Sequence, residues 1–263
     1  MMRLLAISYW ALLFSVAGCD GDEPVTITFE TNFADQTFRC GERVEGVGIS
    51  SSDFTATDFR FYLHELRLIS DSGAEVEIEL VDDGIWQNGE VALLDYEDCT
   101  NGTSEMRAEV FGHIPDGNYK GLKFKLGVPF DLNHANVATA QSPLNLSSMF
   151  WSWQGGYKFL RLDATVGDKD FFFHLGSVGC QGTIGAIHSC TSPNRPEFLL
   201  SDFMLGDSVV IDLNVLLSNM DFAVEDDSIA CMGDPGSRYC DPIFDVLGLN
   251  EGHKGADGLF YVK

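Results

Sequence analysis

"DFRFYLHELRLI", Asp58 to Ile69, alternates over its whole length. Tyr62, His64, Leu66 and Leu68 fall on one side, and Phe61, Leu63, Glu65 and Arg67 on the other. A period of two is the period of a β-strand, because successive side chains leave opposite faces of the pleat. The pattern recurs along the chain. "YKGLKFKLGVPF" sets Leu122, Phe124 and Leu126 against Lys123 and Lys125. "DSVVIDLNVLL" sets Val209, Ile211, Leu213 and Val215 against Asp212 and Asn214, and "DKDFFFHLGSVGC" is short, aromatic and bounded by charge and glycine. Turns rich in Gly, Asp, Asn and Pro separate these runs. The spacing predicts an all-β fold, an antiparallel β-sandwich or barrel-like domain with long loops. Helix is expected only around Ser147 to Phe150 and in "DPIFDVLGL", with "GLFYVK" as the last strand.

"MFWSWQGGYKFLRLD", Met149 to Asp163, fits the same scheme. Read as a strand, it puts Trp151, Trp153, Tyr157 and Phe159 on one face, with Gly155-Gly156 allowing a bulge or a close backbone approach. Burial in the core accounts for such rings on pattern alone. A sugar-stacking platform of Trp151, Trp153 and Tyr157 is the competing account. Lys158, Arg161 and Asp163 read as charged groups on a sheet surface.

The first residues stand apart. "MMRLLAISYWALLFSVAGCD" has one charge, Arg3, ahead of an apolar run too short to span a bilayer, and it ends in Ala17-Gly18-Cys19. Small residues followed by cysteine have the form of a bacterial lipobox. Cleavage before Cys19 and lipid on its sulfur are expected, which anchors the protein to an envelope membrane facing the periplasm. Residues 20–24, "DGDEP", read as a tether, and one domain is expected over 25–263.

Of the 7 cysteines, Cys19 is assigned to lipid, leaving Cys40, Cys99, Cys180, Cys190, Cys231 and Cys240. An even number in an exported chain reads as disulfides. Cys180 with Cys190 and Cys231 with Cys240 bracket short loops, which leaves Cys40 with Cys99. No CxxC or Cys-His zinc spacing is present. The formal charge of -24 repels nucleic acid and favours cations. No GxSxG, HExxH, P-loop or dinucleotide fingerprint occurs, and no acid, base or nucleophile set accompanies the histidines, so no enzyme is expected.

Six segments, in order, resemble the MbnP-like proteins, also called the metallo-mystery pair system four-Cys motif family. They are "DFRFYLHELRLI", "DDGIWQNGEVALLDYEDCTNGT", "IPDGNYKGLKFKLGVPFDLNHANVATAQSPLN", "MFWSWQGGYKFLRLD", "FFFHLGSVGC" and "IACMGDPGSRYCDPIFDVLGL". The resemblance implies a β-sandwich-like domain that binds one copper, with Cys40, Cys99, Cys180 and Cys190 as the four named cysteines. It implies a di-haem peroxidase-like partner that oxidises a tryptophan to kynurenine. Related surface proteins of methane oxidisers hold Cu(I) through two histidines and a kynurenine amine. Imidazole suits copper. An indole nitrogen does not, because its lone pair belongs to the ring, whereas ring opening frees an aniline-like amine.

On that resemblance the metal candidates are His134 in "LGVPFDLNHAN", His174 in "FFFHLGS" and His64 in the opening strand. The candidates for modification are Trp86, Trp151 and Trp153, with Trp86 read as an exposed turn residue. His113, His188 and His253 lie in turn-like segments and are expected to be exposed.

Overall fold

The computed structural model describes residues 21–33, 36–97, 105–252 and 254–263. Two large sheets stack as a β-sandwich. One runs Phe260–Val262, Ser208–Asp212, Asp22–Phe33, Glu109–Pro115, Glu79–Leu80, with Gln36–Thr37 added at the end of Asp22–Phe33. The other runs Glu197–Leu200, Tyr119–Leu126, Ser52–Ser70, Leu160–Val166, Lys169–Leu175, Ser228–Cys231. The central strand Ser52–Ser70 is 19 residues long, so it also takes Arg43–Val47, Glu75–Glu77 and Val91–Asp95 as partners. Pairing is antiparallel except at two contacts: Asp22–Phe33 with Ser208–Asp212, and Lys169–Leu175 with Ser228–Cys231, are parallel. Aromatic rings join the sheets. Phe124 meets Phe29 edge-on at 5.7 Å and Phe260 at 5.1 Å, and the Tyr96 hydroxyl donates to the Phe29 carbonyl.

The central strand departs from simple alternation. Leu63 lies opposite Leu126 and Leu68 opposite Leu122. Leu122 and Leu126 share a face, being four apart, so Leu63 and Leu68 share it too, although they are five apart. The register shift between His64 and Arg67 supplies the extra residue, and Glu65 sits there at φ 50°. This β-bulge corrects the face assignment made from sequence. Phe61, Leu63, Leu66 and Leu68 go to the core, and Tyr62 and His64 turn to the other face.

Three further expectations change. Asp22, Glu23 and Pro24 pair with Pro115, Ile114 and His113, so the first strand begins inside the stretch read as tether. "DSVVIDLNVLL" is a strand only as far as Asp212. That carboxylate caps the amides of Asn214 and Val215, and Leu213–Leu217 is a helix, because a capping oxygen stabilises a helix start more than a sixth strand residue would gain. "MFWSWQGGY" is not a continuous strand. Phe150–Ser152 turns back on Gly156–Tyr157 as a small hairpin, and Leu160–Val166 begins afterwards. The helix Asp241–Leu247 and the last strand Phe260–Val262 fall where expected.

Cys180–Cys190 and Cys231–Cys240 are bridged, and Cys40 is also disulfide-bonded. Cys99, like Cys19 and the leader, lies outside the described residues.

Candidate metal centre

The bulge delivers His64 to a buried position, 1 % exposed, where neither ring nitrogen has a hydrogen-bond partner among the described residues. Burial pushes its pKa down to about 4, against the pull of the Glu65 carboxylate. That carboxylate stands 3.6 Å from Nδ1, too far for a hydrogen bond, and at neutral pH the imidazole is uncharged, so the two form no ion pair. Leaving a buried polar group unmatched costs about 1–3 kcal/mol. Such groups are rare in folded proteins and call for a reason.

His134 ends the short helix Phe130–Asn133, which follows directly on the strand paired with His64. Its Nδ1 lies 3.3 Å from the Trp153 carbonyl, and its Nε2 lies 3.2 Å from Asn133 Nδ2. A carbonyl can only accept, so the proton is assigned to Nδ1, and the Nε2 lone pair accepts from Asn133 Nδ2, a bond that a metal would displace. Metal-bound histidines are held in this way, with the second nitrogen donating to a carbonyl. Burial lowers the His134 pKa, opposed by Trp153 and reinforced by Arg195.

The charge of Arg195 disfavours protonation of both histidines. Its guanidinium stands over Phe159 at 4.7 Å and over Phe130 at 6.0 Å, and the Phe130 ring packs on His134 at 5.6 Å. Nε donates to the Val128 carbonyl at 2.5 Å and Nη1 to Pro193 at 3.3 Å, while Nη2 has no partner among the described residues. Burial lowers its pKa to about 10, so it stays charged at neutral pH. The preceding Asn194 is at φ 51°. Two of the three positive-φ non-glycine residues thus adjoin His64 and Arg195, as strain often does at functional sites.

His174 is differently engaged. Its Nε2 is 2.6 Å from Asp163 Oδ1, whose other oxygen takes Arg161 at 2.5 Å. Arg161 reaches Asp58 at 2.9 Å, and Asp58 pairs with Arg60. Burial opposes the Asp163 charge, but the hydrogen bonds from His174 and Arg161 outweigh it and hold the carboxyl below its usual range. His174 lies opposite Arg161, and Arg161 opposite Arg60. His64 is therefore two strands across and four residues along, roughly 10 Å and 13 Å, too far to share an ion with His174.

His134, Cys180 and Cys190 bring ligand atoms within 4.8 Å of one another. The two sulfurs are bonded to each other at 2.02 Å, so neither is a thiolate, and of the three only His134 offers a ligand. Of the tryptophans, Trp86 is 8 % exposed and belongs to the core, which corrects the exposed-turn expectation. Asp83 holds its segment by accepting from the amides of Ile85, Trp86 and Gln87. Trp151 is half-buried 6.3 Å from His174. Trp153 is exposed beside His134. Tyr157 is fully buried, so the three rings form no common stacking surface. His113 and His188 are exposed but in strands, and His253 lies outside the described residues.

Gly156 explains the glycine pair. It has φ +79°, and a Cβ there would stand 2.3 Å from the Asn133 carbonyl. Gly156→Ala is expected to cost about 1–3 kcal/mol in urea unfolding and to loosen His134, since Asn133 is displaced. An unchanged unfolding midpoint would rule this out.

Glu97, 2 % exposed, also has no partner among the described residues. Burial, then Asp58, raise its pKa against Arg60. A raised carboxyl pKa gives stability that is present below the unfolded value and lost as pH rises through the folded one. Glu97→Gln should therefore raise the melting temperature at pH 7 by more than at pH 4, as paired thermal melts would show.

A disulfide-braced β-sandwich with a buried histidine that has no partner among the described residues is the fold and site of a candidate metal-binding protein. The MbnP family model matches residues 22–233. The chain belongs to the MbnP family, and membership supports a copper-associated role. The solved structure of MbnP from Methylosinus trichosporium is similar, with 25% identity, a TM-score of 0.78, and coverage of 92% of this chain and 98% of that one. No curated protein sequence matches.

Proposed function

We propose that this chain is a copper-binding protein of the bacterial envelope, with His64 and His134 as imidazole ligands. The observation that carries the reading is His64, buried with both nitrogens empty. Copper suits this donor set, because borderline imidazole nitrogens accept Cu(I) and the hard cations prefer oxygen. His174 stands outside the ligand set because it lies two strands across and four residues along from His64.

Trp153 is the tryptophan we assign to oxidation to kynurenine, because its own carbonyl is beside His134. The oxidant is a di-haem cytochrome c peroxidase-like partner, so the chain is substrate rather than enzyme. Lipid on Cys19 holds it at a membrane facing the periplasm. Among the described residues, no helix is long and apolar enough to cross a bilayer. Copper acquisition, storage or sensing is the service such a protein gives.

The test is metal analysis and peptide mass spectrometry on protein co-expressed with and without the partner. Near one copper per chain is expected. With the partner present, the Trp153 peptide should lose one carbon and gain one oxygen. Intact tryptophans and no retained copper would end the proposal.

A further inference from the structure

The candidate ligands are two neutral imidazoles, so they bring no charge to offset a metal ion. The buried charge that acts on both rings is positive: the Arg195 guanidinium disfavours protonation of each. Arg195 stands over Phe130, which packs on His134, and its Nε is tied to Val128 on the segment between the His64-paired strand and the His134 helix. The nearest anion to His64 is Glu65, which is exposed and paired with Lys125 at 2.8 Å. Asp58 and Asp163 are occupied by Arg60, Arg161 and His174, farther along the sheet.

We propose that Arg195 sets the oxidation state of the bound copper: it is a specificity-determining residue that favours Cu(I) over Cu(II). The inference rests on the ligand reading above. A unit positive charge at a given distance repels a dication twice as strongly as a monocation. The penalty therefore falls mainly on Cu(II), and partial burial weakens its screening by salt. Arg195 is held for this purpose on three sides, by Val128, Pro193 and the Phe159 ring. A lysine could not reproduce that fork, but it would keep the charge.

The experiment measures Cu(I) and Cu(II) dissociation constants by chelator competition, Cu(I) under anaerobic conditions. It uses the mature wild-type chain and the variants Arg195→Gln, Arg195→Lys, His64→Ala and His134→Ala. Wild type should bind Cu(I) more tightly than Cu(II). Arg195→Gln should shift the ratio toward Cu(II) by at least about tenfold, a fall of 59 mV in the potential of the one-electron couple. Arg195→Lys should stay within about threefold of wild type. A purely structural arginine would weaken both ions equally in either variant, and that result overturns the proposal. A wild type that prefers Cu(II) overturns it as well, without any variant having to fold. If copper binding survives both histidine substitutions, the ligand reading has failed. If the histidines are needed and the ratio ignores residue 195, the arginine alone is refuted.

Discussion

His64→Leu should give a protein that is more stable without copper and unable to hold it. The two effects run in opposite directions and come from one cause. In the copper-free chain, His64 has both nitrogens buried and unmatched. Leucine removes that unmet demand and keeps most of the volume, so the gain is about 1–3 kcal/mol. The same substitution removes a ligand. The affinity loss should exceed the 10–100-fold typical of losing a mere supporting partner. Urea unfolding of the metal-free protein, paired with chelator competition, reads both. A less stable variant that still binds copper would show that His64 is an ordinary core residue.

Asp163→Asn should destabilise the buried charge network that it shares with Asp58, Arg60, Arg161 and His174. Asp163 answers His174 through one oxygen and Arg161 through the other. Removing its charge takes one of the two carboxylates that pair with Arg161 and weakens the acceptor of His174, which costs about 1–3 kcal/mol. Its folded pKa lies below the ordinary value. The stabilisation is thus complete above that ordinary value and is lost as pH falls toward the folded pKa. Wild type and variant should therefore converge in stability on acidification below about pH 4. Copper affinity should not move, because Asp163, opposite Asp58, is one strand across and six residues along from His64, roughly 20 Å. Lost copper binding in a folded Asp163→Asn protein would bring His174 back into the ligand set.

Much of the sandwich was readable because period-two alternation and turn residues act locally. Leu122, Phe124 and Leu126 are in the core as patterned. Two features escaped for the same physical reason: each depends on a partner distant in sequence. Nothing in "HELRL" marks the bulge, which exists because Leu63 and Leu68 both have to meet the face of Tyr119–Leu126. Trp86 looked exposed in a polar turn, yet Asp83 ties that turn down and folds the ring inward. Of the site, the three histidines were legible as residue types. Their ranking was not, because a committed Nε2 on His174 and two empty nitrogens on His64 are facts of packing. Arg195 gave no signal at all, being a lone cation between prolines in "PNRPE".

The one-residue excess at Glu65 also changes what kinds of mutation this strand can absorb. A substitution in it is a point error, felt at one position. Losing a single residue between His64 and Arg67 only removes the bulge: Leu63 and Leu68 become four apart, the spacing of Leu122 and Leu126, and both keep the core face. Losing a residue elsewhere in the paired part of the strand is a frame error, because one half must then present its wrong face. Chains that inherit this strand should therefore drop a residue at the bulge far more readily than on either side of it.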